Sequence, residues 1–376
     1  MREVGDIAIK KKIDILTFWG VPNYGAFCQA YALNRYLNLR YSEYRVQHIG
    51  YLHPTHYKLY HEKREPKIHG LRDLISGKYF TAKRAWRKDP LIHYPHFESA
   101  WNSIPHTDFL SSTQLEEEAF DVLITGSDAI WEYSIKEFGD DEHLIGNHLL
   151  TNKLVAYAAS FGNVDRNDSL PSFVREGLGK YDYLSVRDDT SMEIINEERK
   201  VMPNIKDVSL VLDPSLLHDF KTDSAIPKTH YKNYILVYGD DFPDRMIQEI
   251  KQYAAVHKLT VIGAGIAPYW CDMRLTEISP LDWIGMFRDA MFVVTCTFHG
   301  LMFSINFEKR ILFNQVEYVK NRSTWLLEKL GLLSLFANDV TLEKCLNYEW
   351  SYSEINRKLD ALRKSSEDFL KEVLDG

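Results

Sequence analysis

The sequence predicts an α/β fold of parallel strands in two domains, on three observations. Short apolar runs rich in β-branched residues recur along the chain, and each stops abruptly at small or polar residues, such as Gly126-Ser127-Asp128 or Thr297 ahead of His299-Gly300. Helical spacing follows several of these stops, and such alternation is the pattern of a parallel sheet with helical crossovers. A polar, proline-bearing stretch from Lys221 to Lys232 then separates one series from a second. In a chain of 376 residues that stretch reads as a domain boundary, because one ordinary core does not reach that length. The expected units are 1–220, 221–350 and a terminal helical segment, 351–376.

Composition narrows the class. With 45% hydrophobic and 26% charged residues the chain reads as a globular protein, and no apolar run approaches a membrane span. Residues 1–12 carry acidic groups and no apolar core of a signal peptide, so a cytoplasmic protein is expected. Cys28, Cys271, Cys296 and Cys345 form no C-x-x-C pair, which argues against a zinc site or disulfide framework. A formal charge of −8 offers no general basic face for nucleic acid.

In the first unit, Ile13 to Phe18 reads as a strand and Phe27, Ala30, Leu33 and Leu37 as the spacing of a helix. Asn23, Tyr24 and Gly25 fall between them, where free backbone N–H groups can hold an anion; an ordinary turn uses the same residues. Arg45 to Leu52 is a second strand. An insertion near 53–110 follows, and between His53 and Pro90 ten Lys or Arg stand against four Asp or Glu, with aromatics interleaved. Its histidines, His53, His56, His61 and His69, lack metal-ligand spacing. A basic aromatic flap suits a phosphorylated or lipid-linked acceptor and a peripheral membrane contact, and a solvated surface loop explains it equally well.

Phe120 to Thr125 ends at Gly126-Ser127-Asp128, where glycine permits close backbone approach, serine offers a hydroxyl and aspartate an acceptor. Leu154 to Ala159 ends at Ser160-Phe161-Gly162. Tyr183 to Val186 ends on Arg187, for which pairing with Asp188 or Asp189 is the commoner fate, and a helix is expected over 191–198. Val208 to Leu212 stops at Asp213-Pro214. Five strands thus end in small or polar residues.

In the second unit, Tyr234 to Tyr238 ends at Gly239, a helix spans about 244–257, and Leu259 to Ile262 ends at Gly263-Ala264-Gly265. This is no dinucleotide fingerprint, because Pro268 stands at the third glycine position and no helix opens there. Ser279 and Pro280 start a helix as N-cap and N1. Phe292 to Cys296 reads as a buried parallel strand entering a helix, with His299 at its carboxyl end, the edge at which open α/β sheets bind ligands. A structurally satisfied histidine fits that run equally well. Arg310 to Asn314 is a strand, Ser323 to Leu330 a helix. Ser351-x-x-Glu354 is a capping box ahead of an amphipathic terminal helix carrying Ile355, Leu359, Leu362 and Phe369 on one face.

Taken together the chain resembles the polysaccharide pyruvyl transferase family, from Ile13 to about Leu332. The likeness runs through Asn23-Tyr24-Gly25-Ala26, Gly126-Ser127-Asp128-x-x-Trp131, Ala156 to Gly162, Ser185-Val186-Arg187, Asp213 to Leu217, and Phe298-His299-Gly300. Two positions depart from the family pattern: Thr297 replaces a serine and keeps its hydroxyl, and Ala129 replaces a glutamine. The resemblance implies two Rossmann-like domains facing across a cleft, a GT-B-like arrangement. It implies transfer of the carbon skeleton of phosphoenolpyruvate to two hydroxyls of a cell-surface or secreted glycan, or its lipid-linked precursor, as a cyclic ketal, with no cofactor and no metal.

Under that resemblance His299 is the general acid, its ordinary pKa of about 6.5 suiting proton delivery near neutrality. Arg187 binds donor carboxylate or phosphate bidentately from the opposite domain, and Arg322 or Lys320 adds a second cation. Asn23, Tyr24, Gly25, Gly126, Ser127, Ser160 and Thr297 line the substrate site, and Asp128 accepts a proton from the glycan hydroxyl. Two other classes fit the same layout: a GT-B glycosyltransferase using a nucleotide sugar, and a non-catalytic glycan- or partner-binding protein.

Overall fold

Two all-parallel sheets, one in each half of the chain, carry the molecule. The computed structural model describes residues 11–61, 76, 94–136, 141–336 and 340–375; most of the basic insertion, His69 included, lies outside them. The first sheet contains β1 (Lys12–Leu16), β2 (Arg45–Gly50), β3 (His106–Phe109), β5 (Val122–Thr125), β7 (Leu154–Ala159), β8 (Tyr183–Val186) and β9 (Val208–Leu210). A separate short pair joins β4 (Ala119–Phe120) to β6 (Leu150–Thr151). The second sheet holds β10 (Tyr234–Tyr238), β11 (Thr260–Ala264), β12 (Met273–Leu275), β13 (Phe292–Thr295) and β14 (Ile311–Phe313).

The orders are β3-β2-β1-β5-β7-β8-β9 and β12-β11-β10-β13-β14. Each runs outward from a central first strand and then reverses, the doubly wound pattern, so each sheet has a switch point where loops part and leave a crevice. In the first sheet it lies between β1 and β5, in the second between β10 and β13. Central strands such as Val122–Thr125 and Leu154–Ala159 are buried at every residue, because helices cover both faces. That is why their sequences read as unbroken apolar runs rather than alternating ones.

The Tyr24–Arg40 helix departs from simple amphipathicity. Leu33, Tyr36 and Leu37 pack with Ile13 and Ile15 of the first sheet, whereas Phe27 and Tyr31 pack with Tyr234, Leu236, Trp283 and Phe303 of the second. It is wedged between the halves and is therefore apolar nearly all round. The terminal Tyr352–Asp375 helix also serves both: Ile355 and Leu359 join the second sheet's core, and Phe369, Leu370, Val373 and Leu374 the first's. Its expected capping box does not form. The Ser351 hydroxyl lies 3.2 Å from Ser353 Oγ, and Glu354 pairs with Lys358 at 3.1 Å.

Two boundaries shift for tertiary reasons. β9 stops at Leu210, and the Leu212 N–H donates instead to Ser366 Oγ of the terminal helix at 2.9 Å. The helix expected from Ser323 begins at Glu317, so Lys320 and Arg322 lie inside it rather than before it. His56 is buried with its ring 5.0 Å from that of Phe18. All four cysteines are buried and unpaired.

His48 on β2 is fully buried, with Nε2 donating to the Ala30 carbonyl at 3.1 Å. Burial pushes its pKa from the ordinary 6.5 down to about 3. Between those values the unfolded chain binds the extra proton, so stability falls as pH falls through that window, by up to about 1.4 kcal/mol per unit. In urea unfolding, His48→Gln should show a shallower loss of stability than the wild type between neutrality and about pH 5. Equal slopes would show that His48 does not stay neutral in the fold.

Candidate active site

The two switch points face each other, and the contacts between them define the site. Gly25, in the loop-to-helix turn after β1, lies against the His299 imidazole after β13; a Cβ at position 25 would overlap its Nδ1 edge, so only glycine lets the two turns meet. Tyr24 reaches across as well, its hydroxyl donating to the Ile278 carbonyl at 2.8 Å and its ring stacking on Trp283 at 5.3 Å. The hydroxyl expected to meet substrate is thus committed to holding the halves together.

Beneath His299 lies a buried charge chain. Arg187, at the end of β8, has a side chain with no solvent exposure; Nη1 donates to Asp213 Oδ2 at 2.7 Å and Nη2 to Asp128 Oδ1 at 3.0 Å. Its Cζ lies 4.7 Å from the centre of the Phe298 ring, a cation–π contact across the domains. Neither Asp188 nor Asp189 takes it; Asp188 caps the Asp189–Arg199 helix, accepting from the Ser191 N–H at 2.8 Å. Each terminal nitrogen of Arg187 thus gives one N–H to a carboxylate, and its Nε is buried without a partner.

Asp128 follows β5 with φ of 86°, an uncommon conformation for a residue with a side chain and one that collects at functional sites. Its Oδ1 accepts from Arg187 and from the Ala129 N–H at 2.9 Å. Burial alone would raise its pKa, but Arg187 and then His299 outweigh that and bring it below the usual carboxylate range. So held, Asp128 is a counter-ion of Arg187.

Asp213 opens one of the sequence motifs but was given no role there. Its Oδ1 accepts from the Ser215 N–H at 2.9 Å, capping the short Pro214–Leu217 helix. Its Oδ2 accepts from Arg187 and, at 3.3 Å, from Ser127 Oγ, and stands 3.9 Å from His299 Nε2. Burial is again overridden by Arg187 and His299, and the carboxyl titrates low. The available signal was its place at a strand end beside proline, the same grammar that marked Asp128.

His299 sits in the first turn of the Phe298–Asn306 helix, capped by Thr297 Oγ1, which accepts from the Gly300 N–H at 3.1 Å. Its Nε2 is buried without a hydrogen-bond partner. Burial lowers its pKa; Asp213 and Asp128 oppose that and Arg187 and Arg322 reinforce it, so the neutral imidazole is favoured in the free protein.

Arg322 donates through Nη2 to the Tyr318 carbonyl at 2.8 Å, while its Nε is buried and unpartnered. Burial, then the neighbouring Arg187, lowers its pKa, with Asp128, Glu132 and Asp188 pulling the other way. Lys320 does not join this cluster: it is half-exposed and lies 3.6 Å from Glu317. The remaining predicted residues each make contacts within the fold. Asn23 caps the Tyr24–Arg40 helix through the Ala26 N–H at 3.1 Å, and Ser127 Oγ also donates to the Ala158 carbonyl at 3.0 Å. Ser160 Oγ accepts from the Gly162 N–H at 2.9 Å, and Gly126, at φ of 106°, packs where a Cβ would strike the Tyr157 carbonyl.

Fold and site together define a two-domain α/β protein whose facing switch points bring guanidinium, imidazole and carboxylate groups together. The sequence profile of the family described as "Polysaccharide pyruvyl transferase" matches residues 23–313, a span reaching from Asn23 past His299 to the end of β14, and the chain belongs to that family of transferases. Membership implies a donor substrate and a glycan acceptor. No curated protein matches the sequence. Among solved structures the chain is similar to Staphylococcus aureus MnaA bound to UDP, with 11% identity over 96% of each chain and a TM-score of 0.49. It is similar also to Arabidopsis thaliana UGT89C1 complexed with UDP-L-rhamnose, with 11% identity over 98% of this chain and 99% of that one and a TM-score of 0.48.

Asp213→Ala should be costly, because it leaves Arg187 buried with one counter-ion lost. The expected destabilisation in urea unfolding is about 3–5 kcal/mol, the range for breaking a buried pair from one side. A loss below about 1 kcal/mol would show that the pair is solvated in solution.

Proposed function

We propose that the cleft transfers the carbon skeleton of phosphoenolpyruvate to two hydroxyls of a glycan, or of its lipid-linked precursor, as a cyclic ketal. The observation that carries this reading is the set of unpartnered buried nitrogens: His299 Nε2, Arg187 Nε and Arg322 Nε. Buried polar atoms are nearly always satisfied, so three cationic or protonatable ones in one cleft call for an anion with several acceptor oxygens. The first turns of the Tyr24–Arg40 and Phe298–Asn306 helices meet at the same place and add free backbone N–H groups.

The chemistry follows from this balance. His299 gives a proton to the enol methylene, which becomes the methyl group, and the adjoining carbon becomes electrophilic. One acceptor hydroxyl adds there, phosphate leaves, and the second hydroxyl closes the ring. Of the two hydroxyl protons released, one restores His299 and the other departs with phosphate. Asp213, 3.9 Å from Nε2, steadies the charged imidazole. Arg322 serves the donor as an anion-binding group.

Donor binding and protonation are coupled. Arg187 already faces two carboxylates, Asp128 and Asp213, and His299 beside them is neutral in the free site. A phosphate and a carboxylate arriving beside it favour the imidazolium. Phosphoenolpyruvate should raise the melting temperature in a thermal-shift assay and UDP should not. Stabilisation by UDP alone would overturn the reading in favour of a nucleotide-sugar enzyme. His299→Ala should keep the fold and lose phosphate release with donor and acceptor glycan; retained turnover removes His299 as the acid.

Calorimetry of phosphoenolpyruvate binding near pH 7, in buffers of different ionisation enthalpy, should register proton uptake. The sign follows from a pKa lowered in the free protein and raised in the complex. Uptake should vanish in His299→Ala, and its absence in the wild type would place the imidazolium elsewhere.

A further inference from the structure

The unpartnered buried atoms around the cleft are not all donors. Beside His299 Nε2, Arg187 Nε and Arg322 Nε stands an acceptor, Asp188 Oδ2, the one carboxylate oxygen so left among the described residues. Asp188 itself is 1% exposed. A buried carboxylate oxygen that has given up its hydration without a hydrogen bond in return is uncommon, and it calls for a donor.

The side chain is fixed where it stands. Its Oδ1 accepts from the Ser191 N–H at 2.8 Å as the cap of the Asp189–Arg199 helix, and Ser191 Oγ accepts from the Phe161 N–H at 2.9 Å, tying that cap to the Ser160–Gly162 turn. Turning the carboxylate over would only exchange the oxygen left without a partner. Asp188 acts electrostatically on Arg187 and also on Arg322, which belongs to the other half of the molecule. The second effect has a structural basis: the helix that Asp188 caps packs on the Glu317–Leu330 helix that carries Arg322. Asp188 therefore stands at the seam of the two halves, beside the donor's cationic partners.

The other two carboxylates of the cluster are more fully engaged. Asp213 Oδ1 accepts from the Ser215 N–H, its Oδ2 accepts from Arg187 and Ser127, and Asp128 Oδ1 accepts from Arg187 and the Ala129 N–H. A phosphate and a carboxylate bring acceptor oxygens, which suit the three nitrogens and not Asp188. An ionised carboxylate oxygen takes an N–H or O–H, and in ketal transfer the O–H comes from the hydroxyl that attacks.

We propose that Asp188 Oδ2 is the general base that takes the proton of the hydroxyl adding to the donor. The proposal rests on the ketal-transfer reading for the reaction and on the unpartnered oxygen for the residue. As the hydroxyl oxygen bonds to the electrophilic carbon, its O–H bond breaks towards Asp188, whose carboxylate becomes the neutral acid. The bond from that carbon to the phosphate oxygen then breaks, its electron pair leaves with phosphate, and Asp188 passes the proton to the departing oxygen. The second hydroxyl adds to the same carbon and its proton restores His299. Asp188 ends ionised, as it began. The role that the family resemblance gives to Asp128 falls on this view to Asp188.

Water can stand in for the hydroxyl, which frees the test from the identity of the acceptor. The full chain with phosphoenolpyruvate alone should form pyruvate and phosphate above the uncatalysed rate, read by coupled reduction of the pyruvate with NADH. Asp188→Asn keeps the capping oxygen and puts an N–H donor in place of Oδ2, while Asp188→Ser keeps a cap and removes the base. Both should lower kcat at least about a hundredfold, with KM for phosphoenolpyruvate within about twofold of the wild type and its thermal shift retained. A structural or counter-ion role predicts the opposite split, a raised KM or a lost thermal shift at near-normal kcat, and that result overturns the proposal. Normal turnover in Asp188→Asn overturns it, as does a comparable loss confined to Asp128→Asn, or a wild type that binds phosphoenolpyruvate and forms no pyruvate. A wild type that neither binds nor consumes phosphoenolpyruvate is a separate result: it overturns the ketal-transfer reading, and the base assignment falls with it.

Discussion

The guanidinium of Arg187 has no contact with water, and its charge is tolerable only because Asp128 and Asp213 meet it at 3.0 and 2.7 Å. A buried ion pair is seldom a large net source of stability, yet losing one partner is expensive, so the three groups constrain one another's placement. They come from the carboxyl ends of β5 and β8 and from the start of the helix that follows β9. Much of the cleft's geometry follows. Asp213 Oδ1 caps the Pro214–Leu217 helix, and its Oδ2 stands 3.9 Å from His299 on the opposite half. Through Arg187 the ends of three strands in one sheet are thereby referred to a single histidine in the other.

The same chain sets the electrostatics. At His299 two carboxylates oppose two arginines, and burial is the largest influence, favouring the neutral ring. A site arranged this way does not hold a proton in readiness. In the proposed reaction the proton arrives with the anionic donor, whose charge favours the imidazolium.

Holding the cleft in register falls to apolar and aromatic packing. Tyr24 contacts Phe97, Tyr238 and Trp283, and Trp283 packs in turn on Phe287 and Phe303, so the Tyr24–Arg40 helix is fastened to the second sheet. The terminal helix does the same from outside, burying its two ends in the cores of different halves. Family motifs such as Asn23-Tyr24-Gly25 therefore combine two duties: asparagine caps, tyrosine clamps, and glycine clears the space that the imidazole fills.

By itself the sequence determined the parallel strands, the helices between them, the position of His299 at a strand's carboxyl end and the family, because burial on both faces and strand-to-helix turns write local patterns into the chain. It named Arg187, Asp128 and His299 without their partners. Only the tertiary structure decided that Arg187 turns to Asp213, 26 residues away, rather than to adjacent Asp188, whose Oδ1 caps the Asp189–Arg199 helix. Only it separated Lys320 from Arg322, two residues apart yet on different sides of one helix. Ion-pair choice and facing depend on which strand ends converge, and that convergence is a property of the packed sheets, not of any local run of residues.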